Sequence, residues 1–390
     1  MQATAKRAEE VVENVKELST RFASERSQRQ QRRALERADF DALTDAGFHL
    51  TGAPPEMGGI NGGVEEFTRP LCEMLRILAK GDPSVSLVAS MHPAVIGGWL
   101  EVPKAPQPYT EAWEKQRRAV FETALDGCWW GTIISEPGSG GDPSKSRAVA
   151  KPVDADGQYL VSGQKHFGSG SGMTSFMITQ AVPEGESAPD VFYMDMRDIP
   201  WDGSAGATLT RAWDGVGMTA TQSHAMDFND MPATRAAWPD NGARQRARET
   251  AGRPAGHLFT SVIVGVVESA VDAARQQVQS KRGSMRPFEQ VEWSRVELEA
   301  WLVQQAYEGV LRDVESGSAA ASRSSLLCKE AVAELAESIL LRISKVVGGG
   351  AYSRSSPYGF WLEDVRALGF LRPPWGFAFD RIFDGSWYID

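Results

Sequence analysis

The stretch WWGTIISEPGSGGD, residues 129–142, and the stretch VSGQKHFGSGSGMTSFMITQAV, residues 161–182, each join a glycine- and serine-rich loop to an apolar run. Glycine lets a backbone approach a ring or a phosphate closely. The flanking apolar residues, such as Ile133 and Ile178, favour half-buried strands. The pair therefore predicts a binding surface on which two loops meet one flat ligand. Glycine content alone is equally typical of two ordinary hairpin turns.

Composition and charge limit the class of protein. The chain has 390 residues, of which 42% are apolar and 24% charged, as in ordinary globular proteins, and this length predicts two or three domains. The 51 acidic and 41 basic side chains give a net charge of −10, and no basic stripe with interleaved aromatic residues is visible. These features argue against a nucleic-acid partner.

Cysteine usage and hydropathy indicate the compartment. Cys72, Cys128 and Cys328 are far apart and form no CxxC pair, so neither a disulfide framework nor a zinc site is predicted. The first thirty residues lack the apolar segment of a signal peptide, and no run of about eighteen apolar residues stands out. We predict a soluble cytoplasmic protein that binds no metal and no membrane.

The hydrophobic period changes twice along the chain. Apolar residues recur at helical spacing before about residue 125 and again after about His257, whereas short apolar runs bounded by Gly, Asp and Pro lie between. Asp156-Gly157 is a strong hairpin signal within this middle region. We predict an α+β fold with an N-terminal helical domain (1–125), a central antiparallel β domain (126–235) and a C-terminal antiparallel four-helix bundle (236–390).

This order of elements, together with five short motifs, resembles the acyl-CoA dehydrogenase flavoprotein superfamily over essentially the whole chain. Each motif is weak alone, but all five occur in the right order. The matching segments are residues 55–59, 81–84, 135–142, 163–170 and 347–350.

The resemblance implies FAD as the cofactor, held between the β domain and the C-terminal bundle. Residues of the two loops would face or border the isoalloxazine, namely Ile134, Ser135, Gly140, Phe167 and Ser169. Gly348 and Gly349 would lie near the diphosphate, and Arg282 would reach it from a neighbouring subunit. The family's usual Arg-x-x-Phe-Gly pattern is broken after Arg282, so a solvated surface position is the alternative for this residue.

The resemblance also implies a carboxylate that removes the substrate α proton, and here the chain departs from the family. The base usually follows an Arg-Asp pair by eight residues, but Glu363-Asp364 is followed at that distance by Arg372. Asp384, in a stretch similar to Tyr-Glu-Gly-Thr, is one substitute, and an Asp-Gly turn is its alternative. The base position that some relatives carry on the first bundle helix is Ala255, with His257 two residues beyond.

Arg372 suits an anionic group, either a substrate carboxylate or a developing enolate or peroxide. One branch of the superfamily uses reduced flavin and dioxygen, and the Lys-x-Phe-x-Ser-Gly form of residues 165–170 is similar to its flavin loop. That branch usually carries a histidine near the position of Arg372, and His166 and His257 are the local substitutes. His92, Asp142 and His166 are the candidate substrate contacts, although His92 equally fits a core histidine.

The function predicted from the resemblance is that of an FAD-dependent oxidoreductase acting on an acyl-CoA or related acyl thioester, with hydride transfer to flavin N5. An oxygen-using monooxygenase or oxidase of the same fold is the first alternative. A catalytically silent flavin- or thioester-binding subunit is the second. The expected partners are a small acyl substrate, an electron acceptor protein or dioxygen, and further copies of the chain in a homodimer or homotetramer.

Overall fold

The computed structural model describes residues 2–153, 157–250 and 256–387. Asp156 and Ala255, which the sequence predictions used, lie outside these residues. The helices are α1 (Gln2–Ser24), α2 (Arg26–Arg29), α3 (Arg37–Asp45), α4 (Val64–Gly81), α5 (Pro83–Leu100), α6 (Thr110–Leu125), α7 (Asn241–Thr250), α8 (Gly256–Lys281), α9 (Pro287–Glu315), α10 (Ala321–Val347), α11 (Tyr358–Phe370) and α12 (Trp375–Asp384). The strands are β1 (Trp130–Thr132), β2 (Val149–Pro152), β3 (Gln158–Gly168), β4 (Phe176–Pro183), β5 (Asp190–Asp195), β6 (Ala207–Arg211) and β7 (His224–Arg235).

The seven strands form one sheet with the order β1-β4-β2-β3-β7-β5, in which β6 adds to β7 and β5 also pairs with β4. The second pairing of β5 closes five strands into a ring. The sheet is mixed, which corrects the prediction of a purely antiparallel domain. Strand β4 runs parallel to both β1 and β2, and the other pairs are antiparallel. Period and turn signals identify strands but do not say which distant strands become neighbours, so the two parallel pairs were missed.

The helical regions share one hydrophobic core. Helices α8, α9, α10 and α11 pack against one another, and α4 packs on α8 while α1 packs on α4. The predicted stripes are buried, for example at Val262 on α8, Val303 on α9 and Ile339 on α10. A continuous cluster of apolar side chains therefore runs from the N-terminal into the C-terminal helices. The structure confirms the mixed α+β class with a C-terminal helical region, while the domain boundaries stay a prediction.

One helix, His257–Ser284, is long and apolar enough to cross a membrane by length and composition. Of its most apolar window, 72% is buried within the protein. Such burial is typical of a core helix, which passes the same test of length and hydropathy. The finding fits the expected soluble protein and does not identify a compartment.

Candidate functional site

The two glycine-rich loops meet along a short backbone contact. The His166 N–H donates to the Ser135 carbonyl oxygen at 2.7 Å, in an isolated antiparallel bridge. Just before this point Ile133 N–H donates to Ile178 O at 2.8 Å, which fixes the end of β1 against β4. The predicted meeting of the two loops is therefore present, with the loops joined edge to edge.

Phe167 projects from the second loop in an unusual conformation. Its φ of 60° is left-handed, and its side chain is 59% exposed. For a bulky residue this backbone state is strained and persists only where the surroundings impose it. The ring lies edge-on to Trp213 at 6.3 Å between centroids and to His166 at 6.1 Å. An aromatic ring exposed between two open loops is a fitting contact for a flat aromatic ligand.

The second loop is anchored on the start of β7. The Ser169 hydroxyl is buried and lies 2.8 Å from the Ser223 hydroxyl, which also contacts Thr221. The Gly170 N–H donates to Thr221 O at 2.7 Å. In the first loop Ile134 is half-buried, and Gly140 is exposed with a φ of 62°. One loop is thus held by hydroxyl contacts, while the other exposes glycine backbone.

A buried ion pair lies beneath both loops. Lys165 Nζ donates to Glu136 Oε1 at 2.6 Å and to Gln180 O at 2.5 Å, and both charged side chains are buried. Burial lowers the pKa of Lys165. Burial alone would raise the pKa of Glu136, but hydrogen bonds from Lys165, Ser146 and Arg147 N–H outweigh it and lower that pKa. The pair fixes the first loop to β3.

Sequence reasoning missed this pair, although the strand pattern contained a signal for it. Lys165 lies an even number of residues from the buried Val161 along β3, and alternate residues of a strand share a face. A lysine on the inward face demands a buried partner, because an unpaired ammonium is costly to desolvate. Glu136, the acidic residue in the segment 135–138, was the available partner for Lys165.

Arg372 reaches the first loop from the connection between α11 and α12. Its Nη2 donates to the Ser135 hydroxyl at 3.0 Å, and burial lowers the pKa of Arg372 to about 10. The neighbouring Pro374 touches the same loop, since a Cβ on Gly141 would lie 2.7 Å from Pro374 Cγ. Among the described residues, no carboxylate forms an ion pair with Arg372.

Asp384 lies at the other end of α12 from Pro374, which touches the first loop. It is exposed at the last position of α12, a helix of ten residues that begins beside Pro374. Ten residues of α-helix span about 15 Å, which is the separation of the two ends of α12. The next residue, Gly385, lies beside Arg323 near the start of α10. As a catalytic base, Asp384 stays a prediction that this geometry does not favour.

Two predicted histidines are buried among helices. His92 Nε2 donates to His49 O at 2.9 Å and its Nδ1 accepts from Trp130 N–H at 3.2 Å, so both ring nitrogens bind backbone. Burial lowers the pKa of His92 to about 4. This is a structural arrangement, and a substrate role for His92 stays a prediction. His257 is 5% exposed and lines a small cavity with Phe67, Leu71 and Leu258.

The remaining predicted contacts fall at the edges of the loops. Asp142 follows the first loop and accepts hydrogen bonds from the Ser144 N–H and hydroxyl, which lower its pKa. His166 is half-buried, and desolvation together with the charge of Arg211 lowers its pKa. Both residues thus lie near the loops, but their roles toward a substrate stay predictions.

The predicted diphosphate contacts cluster at one end of the helical region. The Lys281 ammonium donates to the carbonyl of Val346, so the end of α8 meets the end of α10. Arg282 follows immediately and is exposed, and Gly348, which ends α10 with a φ of 88°, is exposed together with Gly349. The structure therefore places Arg282 and the glycine turn near each other, on the surface of the same chain.

No family model matches the chain. A putative acyl-CoA dehydrogenase of Bacillus subtilis, YdbM, is 25% identical over 350 residues, or 85% of this chain and 84% of the relative. A dibenzothiophene monooxygenase of Rhodococcus erythropolis is 26% identical over 227 residues, or 55% of this chain and 50% of that enzyme. The structure of KijD3 in complex with FMN and a dTDP-linked keto sugar superimposes with a TM-score of 0.81 at 20% identity, covering 98% of this chain and 94% of KijD3.

The chain is similar in sequence to acyl-CoA dehydrogenase-like enzymes and to flavin monooxygenases, and its fold is the acyl-CoA dehydrogenase-like fold. Sequence relatives and fold agree on this assignment, which confirms the resemblance seen in the five motifs. Members of this superfamily among the relatives are flavin-dependent enzymes, and the chain is accordingly an acyl-CoA dehydrogenase-like flavin oxidoreductase.

Proposed function

We propose that the protein is a monooxygenase that takes up reduced FMN and dioxygen and adds one oxygen atom to a small organic substrate. In the overall reaction, the substrate, dioxygen and reduced flavin are converted to the oxygenated substrate, water and oxidised flavin. The main support for this proposal is the position of Arg372. The resemblance places the carboxylate base of a dehydrogenase there, but this chain has a cation. Without a base beside the substrate, α-proton removal is slow, whereas oxygen transfer does not require that step.

The loops fit a bound flavin. The exposed ring of Phe167 on a strained backbone, the open glycines of the first loop and the buried Ser169 form a surface with aromatic and polar contacts. Ile134, Ser135, Phe167 and Ser169 would face the ring system. Bound reduced flavin supplies the electrons that activate dioxygen. The buried Glu136–Lys165 pair joins the first loop to the strand that leads into the second.

FMN is proposed over FAD because the features expected to hold the rest of FAD are weak in this chain. Arg282 lacks the family's following Phe-Gly, and Arg282, Gly348 and Gly349 are exposed. KijD3, which shares the fold, binds FMN. FAD was the cofactor expected from the sequence, and only its flavin part has support beyond the resemblance.

Dehydrogenation of an acyl-CoA by bound FAD is the second candidate. The match to YdbM favours it, because that putative acyl-CoA dehydrogenase aligns with 85% of this chain. Asp384 or His257 would then have to act as the base, and neither lies in a described contact with the loops. A silent binding subunit would keep the flavin surface and lack both reactions.

Redox partners follow from the proposed reaction. A monooxygenase of this kind needs reduced flavin from a separate reductase, with dioxygen as the second substrate. An acyl-CoA dehydrogenase needs an electron acceptor protein. We further propose a cytoplasmic homodimer or homotetramer.

Anaerobic flavin spectroscopy tests the proposal. The purified protein is loaded with FMN or FAD and titrated with short, medium and aromatic acyl-CoAs in the absence of oxygen. We expect no bleaching by any acyl-CoA, and tighter binding of FMN than of FAD. Rapid bleaching by an acyl-CoA would instead identify a dehydrogenase.

The oxygen reaction supplies the complementary measurement. Protein loaded with photoreduced FMN is mixed with oxygenated buffer in a stopped-flow spectrometer. We expect flavin reoxidation to pass through a spectral species that free reduced FMN does not show. Reoxidation identical to that of free reduced FMN, together with no reaction toward acyl-CoA, would identify a silent binding subunit.

A further inference from the structure

Arg372 is half-buried and forms no ion pair with a carboxylate of the described residues, which marks an unassigned position in the site. Among the residues that the structure describes, the only hydrogen bond of Arg372 joins its Nη2 to the neutral hydroxyl of Ser135 at 3.0 Å. Arginine offers five N–H donors in a planar fork, so the described protein groups leave most of its binding capacity unused. Burial without a counter-charge also lowers the pKa of Arg372 to about 10.

The nearby carboxylates cannot neutralise this charge. Glu136 Oε1 accepts from Lys165, Ser146 and Ala148 N–H, and its Oε2 accepts from Arg147 N–H. Asp142 is turned to Ser144 and Lys145. Glu136 is thus committed to Lys165, and the positive charge of Lys165 adds to that of Arg372 instead of cancelling it.

We propose that Arg372, with the Ser135 hydroxyl beside it, binds an oxyanion of the substrate, so that the substrate is a small carboxylic or sulfinic acid carried into the site as its anion. A carboxylate or sulfinate matches the guanidinium fork with two parallel hydrogen bonds. The anion also supplies the counter-charge that the protein omits. This inference names the substrate class and rests on the proposed function.

The phosphate of the flavin is the other source of an oxyanion. The contact with Ser135 places Arg372 at the part of the first loop that would face the ring system. The glycine turn at Gly348, where the resemblance places the phosphate end, lies at the junction of α8 and α10. Arg372 therefore serves the reacting end of the ligand, where the substrate must lie.

Isothermal titration calorimetry on the FMN-loaded protein tests the assignment near neutral pH. The probes are benzoate and propionate, each compared with its neutral amide, benzamide or propionamide. We expect at least one acid to bind about 10- to 100-fold more tightly than its amide. Arg372→Gln should reduce the affinity for that acid to the level of the amide and leave FMN affinity unchanged.

Two further variants distinguish the loss of the charge of Arg372 from a general effect of substitution on folding. Arg372→Lys keeps the charge without the fork and should retain part of the preference for the acid. Arg366→Gln removes an exposed arginine on α11 that pairs with Glu363, and it should change neither affinity. Circular dichroism and thermal melting establish that each variant is folded.

Specific outcomes overturn the inference. Equal binding of acids and amides, or no binding of either acid, excludes an anionic substrate group at this position. An FMN affinity that falls with Arg372→Gln assigns the residue to the flavin phosphate. If the wild type binds FMN and reacts with oxygen but ignores the acids, only this inference fails. If it takes up no flavin, the proposed function fails, and titration of the flavin-free protein with the same acids still tests the anion site.

Discussion

The guanidinium of Arg372 donates a hydrogen bond to the hydroxyl of Ser135 at 3.0 Å, although the two residues lie 237 positions apart. The contact joins the α11–α12 connection to the first glycine-rich loop. A dehydrogenase of this superfamily would be expected to carry a carboxylate in this connection. A cation there changes what the site can bind, because it attracts anions and cannot accept a proton at neutral pH.

Anion affinity should depend on alkaline pH. The pKa of Arg372 is lowered to about 10, so the guanidinium is charged at neutral pH and loses its proton as the pH rises through that value. We expect the affinity for benzoate to be constant from neutral pH to about pH 9 and to fall above about pH 10. Calorimetric titration across this range measures the effect, with Arg366→Gln showing the same profile. Undiminished binding at still higher pH, in protein that remains folded, would exclude Arg372 as the titrating group.

The buried ion pair should matter far more to stability than an exposed one. Glu136→Gln leaves the fully buried Lys165 ammonium without a counter-charge, and such a loss costs about 3–5 kcal/mol in the free energy of unfolding. Asp195→Asn breaks the exposed pair with Arg197 and should cost about 0–1 kcal/mol. Urea denaturation of both variants and the wild type gives the comparison. Similar losses in the two variants would show that the Glu136–Lys165 pair is not desolvated.

We expect the side chain of Phe167 to contribute to flavin binding and not to the stability of the fold. Its left-handed backbone costs a residue with a Cβ about 1 kcal/mol or more, which glycine avoids. Phe167→Gly should therefore be about 1 kcal/mol more stable than Phe167→Ala, and both should bind FMN more weakly than the wild type. Thermal unfolding and quenching of flavin fluorescence measure the two effects. Wild-type FMN affinity in both variants would remove Phe167 from the cofactor site.

The sequence predicted the local parts of the site well. Glycine-rich loops flanked by strand-forming runs indicated that residues near Ser135 and Phe167 would meet, and the bridge between Ser135 and His166 shows that they do. The superfamily could also be identified, because its motifs are local and their order is visible in the chain. Burial of the helical stripes followed from their period, as at Val262 and Ile339.

Relationships between distant segments were harder to predict. Residues 383–386 are similar to a known catalytic stretch, but the sequence did not show that α12 would continue unbroken and end at Asp384. The parallel pairing of β4 with β1 and β2 depends on which strands become neighbours, which periodicity does not encode. The commitment of both His92 nitrogens to backbone groups was likewise visible only in three dimensions.

A final prediction concerns Asp364, where α11 meets the loop that precedes β7. Its Oδ1 accepts from Met218 N–H at 2.6 Å. Burial raises the pKa of Asp364 to about 7; the Met218 hydrogen bond opposes the shift, and the charge of Asp82 adds to it. The unfolded chain has an aspartate pKa of about 4, so the folded state holds the extra proton between these values. Stability should consequently fall as the pH rises from about 4 to about 7.

Asp364→Asn tests this because the amide oxygen can still accept from Met218 while the titration is removed. We expect the variant to lose the part of the decrease in melting temperature that the wild type shows between about pH 4 and pH 7. Glu363→Gln removes the partner of Arg366 and a negative charge that adds to the raised pKa of Asp364, so it should keep the titration but move it to lower pH. Melting curves at constant ionic strength measure all three proteins. An unchanged slope in Asp364→Asn would mean that another group releases the proton.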